Sequence, residues 1–169
     1  MMLTSIITLL ISLLIQGILS NYLGYTYDNL SIFSTLYVLI ALLILNPYFE
    51  NKKKYFALLI IFGLIIDITY TDTFLFNTCL FIMCYYISKC FHFFFPYNPI
   101  TISVSNILSI FAYHIISFII LTVLKYDAYS VSNLSKILES SILMTIIYSN
   151  ILYFLIDLII KKFGLKEVK

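Results

Sequence analysis

Apolar residues run through this chain in long blocks separated by short polar breaks, not in the alternation of half-buried strands. The blocks predict six helices, at about 3–20, 31–46, 55–71, 74–95, 100–124 and 137–163. The second block stops at Asn46-Pro47, and the fourth stops at Pro96, with Pro99 opening the fifth. A helix that crosses a bilayer takes about 20 apolar residues, and about 17 are tolerated. The second and third blocks are short by that measure and must borrow residues from their loops.

The polar residues inside the blocks recur at helical spacing. Ser5, Thr8, Ser12, Gln16 and Ser20 form one stripe in the first block. Asn106, Ser109, Tyr113 and Ser117 form another in the fifth, with His114 beside it, and Asn150, Tyr153 and Asp157 lie in the sixth. Such stripes face other helices, where hydroxyls and amides find partners; the alternative is a polar cavity that binds a small ligand, as in a transporter. The second block has almost no polar interior and is expected to face lipid or an apolar partner helix.

Composition makes the solvent a bilayer. Of the 169 residues, 62% are hydrophobic, 18% aromatic and only 11% charged, and the mean hydropathy is +1.04. A soluble domain is about half apolar and about a quarter charged. No hydrophilic stretch is long enough to fold separately, so 1–169 is read as a single polytopic membrane domain, an all-α bundle. The first block lacks a basic leader and an Ala-x-Ala site and is expected to be retained as a helix.

Lysine placement orients the bundle. With the N-terminus in the cytoplasm, Lys52, Lys53, Lys54, Lys89, Lys161, Lys162, Lys166 and Lys169 fall inside and only Lys125 and Lys136 outside. That bias predicts six spans with both termini cytoplasmic. The basic residues form no patch suited to nucleic acid. Cys79, Cys84 and Cys90 lie in or beside one apolar segment, lack Cys-x-x-Cys spacing and read as buried reduced thiols.

Asp67 is the residue this pattern does not accommodate. It follows Phe62-Gly63-Leu-Ile-Ile in an otherwise apolar run, where an unpartnered carboxylate is costly. It lies about 13 residues, or ~19 Å of helix, past Lys54, in the outer half of the membrane. Gly63 is one turn earlier on the same face and admits a close backbone approach. Gly63 and Asp67 therefore read as a packing site, with a proton or ligand site and simple interfacial exposure of Asp67 as the other readings. The candidate donors to the carboxylate are Asn77, Tyr113, His114 and the free amides that open the fourth helix. Asp157, four residues before Lys161, has a partner on its own helix.

Little points to chemistry. Asp67 and Asp72 sit five apart beside a turn, poor geometry for a catalytic pair. Neither histidine has the companions that a metal site requires, and no Ser/His/Asp spacing or phosphate-cradling glycine loop occurs. The expectation is a protein that is not an enzyme and holds no metal or cofactor.

The stretch Phe62-Gly63-Leu-Ile-Ile-Asp67-Ile-Thr-Tyr70-Thr71 resembles the rod shape-determining protein MreD family. The basic Asn51-Lys-Lys-Lys54 before it, Tyr85-Tyr86-Ile87-Ser88-Lys89 at the end of the next helix, and a last apolar helix running into a lysine tail are similar as well. Relatives usually carry a glycine where the next helix opens; here that stretch is Phe74-Leu-Phe-Asn77. The resemblance implies a plasma-membrane subunit of the bacterial cell-elongation machinery, working with the bitopic protein MreC and, through it, with MreB filaments, the glycosyltransferase RodA and a class B penicillin-binding protein. On that reading the second helix, or the outer surface of the bundle, docks the single span of MreC, and the outer loops with Asp28 add polar contacts. The structural and partner-binding candidates are Gly63, Asp67, Tyr70, Asn77, Asn106, Tyr113, His114 and Asn150. The family is also similar in fold to the six-helix substrate-binding subunits of energy-coupling-factor transporters, so a vitamin-binding subunit is the alternative.

Overall fold

The computed structural model describes residues 2–23, 36–71, 74–125 and 131–163. The opening of the expected second helix (31–35), Asp28, Asp72, Lys166 and Lys169 lie outside the described residues. The chain is all-helical, with no strand among the described residues. In chain order the helices are α1 (Met2–Leu23), α2 (Tyr37–Leu45), α3 (Lys52–Ile66), α4 (Phe76–Phe94), α5 (Pro99–Val123) and α6 (Val131–Phe163).

Two of them, α5 (Pro99–Val123) and the Leu134–Ile159 stretch of α6, are long and apolar enough to cross a membrane. The surface has the matching character. Leu3, Ile7, Leu10, Ile11, Leu14 and Ile18 of α1 are exposed, as are Leu143, Ile147, Ile151 and Phe154 of α6. The interior holds Ser5, Ser12, Asn77, Ser88, Ser105, Asn106, Ser109, Thr145 and Ser149; of the three cysteines expected there, Cys84 is buried, whereas Cys79 and Cys90 lie on the outward face of α4 and are exposed. An apolar exterior around a hydroxyl-rich interior costs free energy in water and suits hydrocarbon.

Helix starts follow from local chemistry. Asn51 caps α3, its side chain accepting from the Lys53 amide at 3.0 Å, so α3 opens at Lys52, three residues before its apolar run. Asn98 and Thr101 form a reciprocal capping box with Pro99 in the first turn, which starts α5. At the other end of α3 the backbone widens into one π-helical turn, Asp67–Thr71.

Of the two settings expected for the second helix, lipid or an apolar partner helix, the structure has the second. All nine residues of α2 are buried, so it faces neither lipid nor an external partner. It packs against α1 and α6, with further contacts to α4 and α5, and forms the axis of the core. A helix that is apolar all round belongs in such a place. Its polar ends are satisfied by side chains from elsewhere. Gln16 of α1 accepts from the Val38 amide at 3.3 Å. Tyr55 donates to the Leu42 carbonyl at 3.1 Å and Tyr97 to the Leu43 carbonyl at 3.3 Å. The Lys52 ammonium donates to the Asn46 carbonyl at 3.1 Å. A helix C-terminus leaves four carbonyls without intrahelical partners; here two phenols and a lysine supply donors.

Candidate functional site: a buried carboxylate at the α3–α4 turn

Asp67 stands where α3 gives way to the π turn, and it is fully buried. Both of its oxygens face donors from the start of α4. Oδ1 accepts from the Asn77 amide at 2.7 Å and from Asn77 Nδ2 at 3.0 Å. Oδ2 accepts from the Thr78 amide at 3.1 Å and from Thr78 Oγ1 at 2.8 Å. The two amides belong to the first turn of α4, where N–H groups have no partner within the helix and the dipole favours negative charge. The carboxylate thus caps α4 from outside it.

The network extends across the bundle. The Tyr113 hydroxyl of α5 donates to Asn77 Oδ1 in a short hydrogen bond, which leaves the Asn77 amide group to serve Asp67. Tyr113 packs on Phe81 of α4, ring centroids 6.3 Å apart, and His114 stands edge-on to Tyr113 at 5.3 Å. One carboxylate, one carboxamide and one phenol therefore link α3, α4 and α5.

Gly63 is the steric counterpart. A Cβ there would lie 2.9 Å from Thr78 Cα, 3.1 Å from Thr78 Cβ and 2.8 Å from Thr78 Oγ1. Only a glycine lets α3 approach α4 closely enough for Thr78 to reach Asp67. Between the two elements the chain passes through Leu75, at φ 63°. This left-handed position is one that glycine adopts readily and a leucine does not.

The other candidates lie in two further places. Tyr70, in the π turn, reaches α1: its hydroxyl donates to the Leu13 carbonyl at 3.4 Å and sits where a Cβ on Gly17 would meet it at 2.6 Å. Asn106 and Asn150 join α5 to α6. Asn106 Nδ2 donates to Ser149 Oγ at 2.9 Å, and Asn150 Nδ2 donates to Ser103 Oγ at 3.1 Å and to the Ile146 carbonyl at 2.8 Å. Ser88 and Ser105 pair at 2.9 Å between α4 and α5. The polar stripe of α1 meets α6 where Tyr148 donates to Ser12 at 2.7 Å. Asp157 pairs with Lys161 at 2.6 Å.

Thr78, Ser149, Ser103 and Tyr148 are absent from the sequence-derived candidates. A buried hydroxyl on an apolar helix looks the same in sequence whether it bonds across to a neighbour or back to its own carbonyl, as Ser109 does to Ser105. Thr78 alone carried a signal, its place in the first helical turn after the acid.

Among the described residues, no group of three His, Cys, Asp or Glu side chains converges as a metal would require. Compared with family models, curated proteins and solved structures, the chain matches none.

Proposed function

We propose that the chain is a six-pass plasma-membrane protein with both termini cytoplasmic, and that it acts as a scaffold subunit of the bacterial cell-elongation machinery. The observation that supports this reading is how the interior polar groups are used. Asp67 is satisfied by four donors from the next helix, and the asparagines of α5 and α6 are bonded across their interface. Polar side chains used in this way hold helices in one arrangement, which suits a protein that works by presenting a fixed surface to partners.

On this reading the dock for the single span of MreC is the outer surface of the bundle. The enclosed α2 is unavailable, whereas α1 and α6 present exposed leucine, isoleucine and phenylalanine side chains. MreB filaments, RodA and a class B penicillin-binding protein are reached through MreC. The family part of the proposal rests on the sequence resemblance, with Gly63, Asp67 and Tyr70 its central residues.

Depleting the protein from elongated host cells tests the role. Cells are expected to become round or swollen while septation continues. Preserved shape together with lost vitamin uptake would select the transporter-subunit alternative instead.

A further inference from the structure

At the end of the bundle opposite Asp67, α3 and α4 run antiparallel in a register fixed by aromatic contacts. Tyr85 lies 5.3 Å from Tyr55 and 5.0 Å from Phe56, and Tyr86 lies 6.3 Å from Phe56, between ring centroids. One turn further along, this register sets Lys52 of α3 across from Lys89 of α4. Both lysines are exposed, and the Lys52 ammonium, which donates to the Asn46 carbonyl and side chain at the end of α2, has a further N–H to offer. Neither ammonium is in an ion pair; among the described residues the ion pair is Asp157–Lys161. Lys53 and Lys54 are exposed in the same turn, and the nearby acid in sequence is the exposed Glu50. From Lys89 an exposed stripe runs along α4 toward the middle of the bundle, through Tyr86 (55% exposed) and Met83 (46%), while Phe93 (83%) flanks the lysine on the other side.

We propose that this end of the α3–α4 pair is a site for an anionic phospholipid. Lys52 and Lys89 hold its phosphate, and Tyr86 and Met83 receive an acyl chain. Two cations without a carboxylate partner are the complement of a phosphate, and the stripe beneath them is the complement of a hydrocarbon tail. A free anion would satisfy only the lysines. Lysines at this depth extend their ammonium groups to the headgroup layer, and each lysine near an anionic surface strengthens binding about fivefold, the equivalent of ~1 kcal/mol. The inference rests on the membrane-inserted reading alone; its failure leaves the cell-elongation role standing.

Native mass spectrometry of the full chain in a neutral detergent tests it, with phosphatidylglycerol, phosphatidylcholine, inorganic phosphate and polyglutamate as probes. The expected result is retained phosphatidylglycerol, with little phosphatidylcholine. Retention should fall about 25-fold in K52Q/K89Q, following the same per-lysine increment, and stay unchanged in K125Q/K136Q. K52R/K89R should retain the lipid. Equal retention of both lipids by the wild-type chain would overturn the proposal, and that comparison holds even if the glutamine variant fails to fold. So would undiminished binding in a K52Q/K89Q chain of native helix content, full displacement by inorganic phosphate, which would mark a free-anion site, or displacement by polyglutamate, which would mark a protein dock.

Discussion

Replacing Gly63 with alanine adds one carbon, and the structure places it 2.9 Å from Thr78 Cα, a backbone atom in the first turn of α4. Backbone atoms do not swing aside, so α3 and α4 must separate. The overpacking itself costs about 1–3 kcal/mol. Separation also lengthens the Thr78 hydrogen bonds to Asp67, and bonds to a charged group contribute about 1.5–3 kcal/mol. Against this, alanine gains up to ~1 kcal/mol of helix propensity over glycine. The sum is a net loss of ~1.5–5 kcal/mol. Gly17→Ala is the control, because its added carbon comes closer still, 2.6 Å from the Tyr70 hydroxyl. That atom is the far end of a side chain only partly buried, held by a 3.4 Å hydrogen bond. It can rotate away, so Gly17→Ala should cost less than ~1 kcal/mol once its own propensity gain is included. Reversible unfolding of both variants in mixed detergent micelles gives the comparison. A Gly63→Ala chain as stable as wild type, or a Gly17→Ala chain less stable than Gly63→Ala, would refute the reasoning.

Three other outcomes follow from the same geometry. Asp67→Asn should destabilise by about 1.5–3 kcal/mol, because one oxygen that accepts two hydrogen bonds becomes a donor, and Asp67→Leu should be worse; the unfolding midpoints order the three chains. Leu75→Gly should stabilise by about 0.5–1 kcal/mol, the left-handed penalty of a side chain less the greater chain entropy of glycine, and Lys125→Gly at φ 57° should do the same by thermal melting. In an Asn106→Ala, Ser149→Ala double-mutant cycle, the 2.9 Å bond should appear as a coupling of about 0.6–1.7 kcal/mol.

The carboxylate site was half legible in the sequence. Gly63 and Asp67 share a helical face by spacing alone, and an acid just before a new helix points to that helix's free amides. The choice of Thr78 as the second partner depends on how far α4 rotates at its start. That rotation is set by a left-handed Leu75, which no residue in the stretch announces. The location of α2 was not legible because a uniformly apolar run has no face to orient. Its enclosure follows from Gln16, Tyr55 and Tyr97, three side chains far apart in sequence, meeting its two ends. Helix starts at Lys52 and Pro99 were readable from their asparagine caps, whereas hydropathy alone placed the first of them three residues late.

The scaffold account is tested most directly by crosslinking in host membranes. A photoreactive residue placed in turn at Ile7 and Leu14 of α1 and at Leu143 and Phe154 of α6, all exposed, should capture the single span of MreC from at least one helix, and a probe at the enclosed Ile40 should capture nothing outside the chain. Adducts confined to the energising subunits of a transporter, or no MreC adduct from any outward position, would contradict it.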